Sequence, residues 1–310
     1  MIGKNQLSQM KYDKVRKTPS QLLSLTGFTP EEFEAFIPTF EYHWNEYHSR
    51  FTLKGKPRRR ISYNRKSSQL PLIRDKLLFI LSYLKNNPLQ EYHGATYGMT
   101  QPQCNEWVHR LSDILLKSLK TLEELPERNH LRVKHLAGQC RDMLLDGTER
   151  PVERPQDADR QKSRYSGKKT HSLKNNLLCT PDKRILWLSR TCEGSVHDKK
   201  IMDGQPLALP TGITLWQDTG FLGHIPENVT VKMPAKKPKG KDLTDDQKEN
   251  NRKISSFRIL VEHAIGGVKK CRIVKDRFRC RKFGFDDMVM LIACGLHNFR
   301  VTMSLCLKHI

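Results

Sequence analysis

Acidic residues are scarce in this chain: 33 Asp and Glu stand against 55 Lys and Arg over 310 residues, a formal charge of +22. That balance excludes an acidic, solvating protein and points to a polyanionic partner, because each phosphate neutralised releases condensed counterions. Long hydrophobic runs are missing too. The greasiest, Met288 to Leu296, falls far below the roughly 20 residues needed to span a bilayer. The N-terminal stretch MIGKNQLSQMKYDKVRK has no apolar centre and predicts no secretory leader. Nucleic acid is therefore the expected partner, with no membrane. The cysteines at 104, 140, 179, 192, 271, 280, 294 and 306 form no CxxC pair and share no zinc-like spacing with histidine. Scattered thiols of this kind predict a reduced, cytoplasmic protein. With no low-complexity tract and no fixed-period repeat, the length predicts two domains with ample core.

The first 53 residues mix short helical patterns with aromatics. Thr18 and Thr29 each precede a proline, the pattern of a capped helix start. Residues 54–66, KGKPRRRISYNRK, hold seven basic residues and no acid. They suit an arm tracking a DNA backbone, or a solvated linker. Leu72, Ile73, Leu77, Leu78, Ile80, Leu81 and Leu84 mark a helix, a short one follows from Pro88 to about Tyr97, and Thr100 caps a third with Pro102 in its first turn. Gly94 and Gly98 suit the close packing and turn of a helix-turn-helix. On that reading Gln101, Gln103, Asn105 and His109 are the base-reading candidates; the other reading is an ordinary three-helix bundle. The predicted divisions are an N-terminal arm region 1–68, a helix-turn-helix domain 69–135 and a third domain 136–310.

That third region reads as α/β. Apolar strand patterns run over 143–153, 168–180, 183–194, 213–221 and 228–235, with a short helix over 195–204 and a long one starting near Thr244. Two strands carry an acid at their C-terminal ends, Asp146 and Asp218. A third acid, Glu262, lies on the long helix, roughly 40° from Arg258 and roughly 20° from Lys269 around its axis. An ordinary i,i+4 Arg–Glu pair is one account of that edge. Convergence of the three acids is the other. Their mutual repulsion would then be offset by two divalent ions, of which Mg²⁺ fits oxygen-only ligands.

The segments LLDGTERPVERP, YSGKKTHSLKN, GSVHDKKIMD, LWQDTGFLG and ISSFRILVEHAIGGVKK occur in that order. With 71 residues between Asp146 and Asp218 and 43 between Asp218 and Glu262, they resemble the DDE-type transposases of bacterial insertion sequences, in a branch also similar to Harbinger-type transposases. The resemblance implies a ribonuclease-H-like mixed five-stranded sheet flanked by helices, preceded by an all-α helix-turn-helix domain. It implies that the first and fourth strands lie side by side, that Asp146, Asp218 and Glu262 are catalytic and metal-ligating, and that Mg²⁺ serves as two ions with Mn²⁺ able to substitute. Arg258, Glu262 and Lys269 match the signature around the third acid, where Ser255 replaces the expected tyrosine. The implied partners are double-stranded DNA, both terminal inverted repeats and target, and further copies of the chain as a homodimer or higher oligomer. The implied location is the cytoplasm, with the nucleoid. Lys168, Lys169, Arg258, Lys269, Lys270 and Arg272 are the candidates for holding DNA phosphates. A non-catalytic DNA-binding regulator and a nuclease that cuts without joining remain the alternative functions. His197 and Asp198 match the resemblance without an assigned role, helix capping being one reading and metal ligation the other.

Overall fold

The computed structural model describes residues 10–61, 68–205, 207–238, 240 and 242–306. Most of the N-terminal stretch and residues 62–66 of the basic stretch lie outside them. The chain forms two compact units. One runs to Glu124 and includes Lys270–Ile273; the other comprises Leu125–Lys269 and the chain from Val274.

The first unit is all helical: α1 (Tyr12–Val15), α2 (Pro19–Thr26), α3 (Pro30–Arg50), α4 (Ile73–Asn86), α5 (Gln90–Thr96) and α6 (Gln101–Thr121). Helix α3 starts in a reciprocal cap: Glu32 N–H donates to Thr29 Oγ1 at 3.2 Å, and Thr29 N–H donates to the Glu32 carboxylate at 2.8 Å. Phe33, Phe36, Phe40 and Trp44 recur at helical spacing and are buried. Trp44 stacks on Trp107 of α6, ring centroids 5.6 Å apart. The turn between α5 and α6 requires its glycines. A Cβ on Gly94 would stand 2.9 Å from the Met99 carbonyl oxygen, and Gly98 holds a left-handed φ of 70°.

The second unit is built on a mixed sheet: β1 (Asp142–Pro151), β2 (Ser172–Cys179), β3 (Ile185–Leu188), β4 (Cys192–Glu193), β5 (Thr214–Gln217) and β6 (Thr230–Lys232). Five strands follow the order β3-β2-β1-β5-β6, and the two-residue β4 pairs with β2 as a sixth. β2 is antiparallel to both β1 and β3, while β1, β5 and β6 are parallel. The adjacency of the first acid-bearing strand and the strand before Asp218 is thus as expected. Alternation along β1 sends Met143 and Leu145 to one face, where they pack with Leu178, Ile213, Leu215, Val133 of α7 (His130–Leu136) and Met202 of α9 (Asp198–Gly204). The opposite face carries Asp142, Leu144 and Trp216 beneath α10 (Asp245–Val268). There the Trp216 ring stacks on Phe257 at 4.2 Å and its Nε1 donates to Asp142 at 2.8 Å. A short α8 (Ala158–Arg164) lies between β1 and β2 in sequence.

Three local details differ from the sequence reading. Asp146 lies in mid-strand, because β1 continues to Pro151 against β2 after leaving β5. The 183–194 run divides into β3 and β4 at Ser189, whose N–H and hydroxyl make the local bonds to Asn176 in place of a regular ladder. Helix α9 begins at Asp198, with His197 at the cap position and no side-chain cap bond, so Ser195 does not start it.

The last helix, α11 (Phe285–Cys306), is by length and composition able to cross a membrane, yet over half of its apolar window is buried within the protein. Asn298 clamps it to the sheet. Its Oδ1 accepts from Ile185 N–H at 2.8 Å and its Nδ2 donates to Ile185 C=O at 2.9 Å. Removing that amide strands two buried backbone groups. Asn298→Ala is expected to destabilise the second unit by about 2–4 kcal/mol, read as a lower urea midpoint with an unchanged slope.

Candidate active site

The parallel ladder of β1 and β5 ends at the pair Leu145–Gln217. The next residue on each strand is an acid, so Asp146 and Asp218 leave the ladder side by side, on strands about 4.8 Å apart. Both belong to the face under α10, two residues beyond Leu144 and Trp216. Each turns one oxygen to its own backbone. Asp146 Oδ1 accepts from Gly147 N–H at 2.7 Å and Asp218 Oδ1 accepts from Thr219 N–H at 2.6 Å.

Helix α10 supplies the cations. Its start is fixed by the reciprocal cap of Thr244 and Gln247. Arg258 reaches Asp218 Oδ2 at 3.3 Å, so the arginine pairs with the sheet acid and not with Glu262. Lys269, the residue after the helix, is half-buried; burial holds its ammonium below the usual lysine value, while Asp146 and Glu149 pull the other way. Glu262 lies one turn past Arg258, about 6 Å along the helix, with Lys269 about 10 Å further on. It is exposed, and it makes no ion pair among the described residues. Asp146 and Asp218 are thus adjacent, while Glu262 lies on α10 between Arg258 and Lys269 in sequence. Among the described residues, no three His, Cys, Asp or Glu side chains form a ready metal-ligand group.

Asp146 carries the largest perturbation in this cluster. Burial pushes its pKa up from 3.8 to about 6, and Asp218 and Asp198 add to the rise; the Gly147 N–H and Arg258 work against it. Such a carboxylate is held at an electrostatic cost that a cation would relieve. The two carboxylates are hard oxygen donors. These groups fit a divalent metal ion.

Sequence reasoning did not find the surroundings of Glu149. It lies on β1, accepts a hydrogen bond from Ser172, and is ion-paired to Lys168 at 3.5 Å. Burial raises its pKa, but the serine bonds and Lys168 and Lys174 more than offset this, leaving it below the usual glutamate value. Glu149 thus organises part of the basic surface near Asp146. Its signal in the sequence was only the period-two spacing from Gly147. Lys168 and Lys169 are exposed in the β1–β2 connection, and Lys270 and Arg272 are exposed just after α10.

In the first unit, Gln101 and Gln103 are exposed in the opening turn of α6, with Asn105 and His109 half-buried further along. Gln101 Nε2 and Asn105 Nδ2 both donate to Gln90 Oε1 of α5, at 2.8 and 3.0 Å. Gln103 Oε1 accepts from Thr100 N–H at 3.0 Å and so serves the helix cap. Beside this helix, Arg110 donates twice to Leu53 C=O and Lys54 pairs with Glu106 at 3.2 Å, so the start of the basic stretch is fastened to α6.

A mixed sheet in this strand order, with acids where two parallel strands part and a helix laid across them, defines a ribonuclease-H-like domain carrying a separate helix-turn-helix unit. Residues 145–298 match the family described as DDE superfamily endonuclease, and residues 68–121 match the helix-turn-helix of DDE superfamily endonuclease. The chain is 28% identical over 235 residues to a probable transposase for insertion sequence element IS702 from Microchaete diplosiphon, covering 75% of this chain and 82% of that protein. No solved structure is significantly similar to this chain. The chain belongs to the DDE-type insertion-sequence transposases. Endonucleases of this superfamily use divalent metal ions, and the two matched domains imply DNA binding.

The raised pKa of Asp146 has a consequence for stability. Below the unfolded value near 4 both states bind the proton and no penalty exists; as pH rises through about 6 the folded state must ionise a buried group and loses stability. Asp146→Asn is therefore expected to stabilise the metal-free protein at pH 7–8 by on the order of 1–2 kcal/mol. The gain should vanish below pH 4, and thermal unfolding of both forms across pH 4–8 measures it.

Proposed function

We propose that the protein is a transposase that binds the terminal inverted repeats of its element, cuts the strand there, and joins the freed 3′-hydroxyl to target DNA. The observation that carries this reading is the parting of β1 and β5 at Asp146 and Asp218, with α10 bringing Arg258 to Asp218 and Lys269 within electrostatic reach of Asp146. Asp146, Asp218 and Glu262 would hold two Mg²⁺ ions, with Mn²⁺ able to substitute. Bound there, such ions polarise the phosphodiester and activate the attacking oxygen.

The chain's own groups account for the rest. Arg258 holds the Asp218 carboxylate through its Oδ2. Lys269 sits beside Asp146 with its ammonium partly desolvated, suited to a single phosphate at the scissile bond. Lys168, Lys169, Lys270 and Arg272 hold flanking phosphates, and binding through them weakens steeply with salt. Gln101 and Asn105, steadied by Gln90, and Gln103 and His109 face the repeat from α6. Cleavage and joining are the same in-line displacement, with water and then the 3′-hydroxyl as attacking group. Two ends must be held together for joining, so the active form is a homodimer or a higher oligomer on DNA.

The test uses a few hundred base pairs from each side of the gene, incubated with protein and Mg²⁺, Mn²⁺ or EDTA, with 3′-ends mapped by sequencing. Discrete metal-dependent cuts and joined products are expected. Asp146→Asn and Glu262→Gln should each lower cleavage by about a thousandfold or more while DNA affinity stays within about twofold. Cuts without joining would make the protein a nuclease. Tight binding without cleavage under any metal would leave a DNA-binding regulator, and equal cleavage by either variant would remove that acid from the site.

A further inference from the structure

The acids are not the only feature of β1 that suits DNA. At its far end the strand is gripped on both sides. Val152 N–H donates to His171 C=O at 2.9 Å, and Phe278 N–H donates to Pro151 C=O at 2.9 Å. Phe278 also forms a parallel bridge with Val152 and is buried. The residues on either side of that anchor, Arg277 and Arg279, stay exposed. Between these supports lies a recess of about 160 Å³, whose walls include Val152, Glu153, Arg154, Lys169, His171 and Arg277.

Its charge is poorly balanced. Arg154, Lys169 and Arg277 are three cations against one acid, Glu153. Glu153 stands 3.7 Å from Arg277 with both side chains more than half exposed, a pair that solvent screens. Arg154 donates from Nε and Nη2 to Gln161 Oε1 of α8, at 3.1 and 2.9 Å. That acceptor is neutral, so it steadies the guanidinium without cancelling its charge. Lys169 holds a left-handed φ of 59°, a conformation that a residue with a side chain adopts at a cost. The turn is closed around it, with Ser166 N–H donating to Thr170 C=O at 3.0 Å. Backbone strain at an exposed cation fits a side chain held in place for a ligand. Cations gathered in this way repel one another, and a phosphate relieves the repulsion.

The distance from the acids gives the recess a use. Val152 lies six residues past Asp146 along the chain, about 20 Å of extended strand. Duplex DNA rises about 3.4 Å per base pair, so that span corresponds to about six base pairs.

We propose that this recess is a phosphate seat for duplex DNA, holding the backbone about six base pairs from the bond to be cut, with Arg154, Lys169 and Arg277 as its ligands. Charge and spacing recognise the DNA there, so the contact is independent of base sequence. The proposal rests on the reading of the protein as one that cuts DNA at Asp146 and Asp218.

Binding of the full chain to a duplex of arbitrary sequence, followed by fluorescence anisotropy over a range of salt, tests the seat apart from cleavage. Arg154→Gln with Arg277→Gln is expected to weaken binding by about tenfold and to lower the slope of log affinity against log salt by about two. Arg154→Lys with Arg277→Lys keeps both charges and is expected to recover most of the loss. Should the double glutamine variant not fold, Lys169→Gln takes its place, with a slope lower by about one. Affinity within about twofold of the parent and an unchanged slope in the folded variant would overturn the seat. On duplexes trimmed stepwise from each side of a mapped cut, the parent's affinity should fall once fewer than about six base pairs remain on one side. The glutamine variant should show no fall at that step, and an equal fall in both proteins would refute the placement. Binding that responds to the variants, without cleavage under any metal, would keep the seat and remove the transposase reading. No binding by the parent would remove both.

Discussion

Four residue pairs between β1 and β5, from Asp142–Thr214 to Leu145–Gln217, decide where Asp146 and Asp218 leave the sheet. While the strands are paired, their backbone groups are satisfied, and Met143, Leu144, Leu145 and Leu215 are buried among them. Where pairing stops, β1 continues against β2, and the space beside it opens to the Asp218 loop. Two carboxylates can share that space because one strand continues and the other ends. A one-residue slip in this register would send one of them to the opposite face of the sheet.

The charge distribution follows from that constraint. Acids gathered at a half-buried edge must be balanced, and the chain places cations on the elements that cross it: Arg258 within α10, Lys269 at its end and Lys174 on β2. The stacking of Trp216 on Phe257 sets the height of α10 over the sheet, so the rotation that buries Phe257 also aims Arg258 at Asp218. An aromatic contact thereby positions a polar one. In the helical unit a comparable economy holds, since Gln90 fixes two α6 amides through one oxygen.

Much of this was legible in the sequence. The apolar run before Asp146 and the one before Asp218 announced strands, the Thr244–Gln247 spacing announced the start of α10, and the alternation of Phe257 with Arg258 announced two faces. The paired strands came from resemblance, since no periodicity says which strand lies next to which. Strand ends were the weak point. Whether β1 stops at Asp146 depends on its partner β2, which lies some 30 residues away, and the break at Ser189 depends on Asn176. The packing of Asp198 against Gly147 was unreadable for the same reason: the carboxylate that crowds a side chain at 147 is brought in by a third element.

The far edge of the sheet limits how copies of the chain can associate. Outward-facing groups of β3 are already engaged, since Leu186 C=O accepts from Glu127 N–H and Leu188 N–H donates to Glu127 C=O, and Asn298 holds both groups of Ile185. An edge sealed in this way offers no backbone template for another strand. The opposite edge, β6, is only three residues long. Neither edge suits strand-to-strand extension of the sheet, so a multi-copy assembly must be built from side-chain surfaces, whose geometry bound DNA is free to dictate.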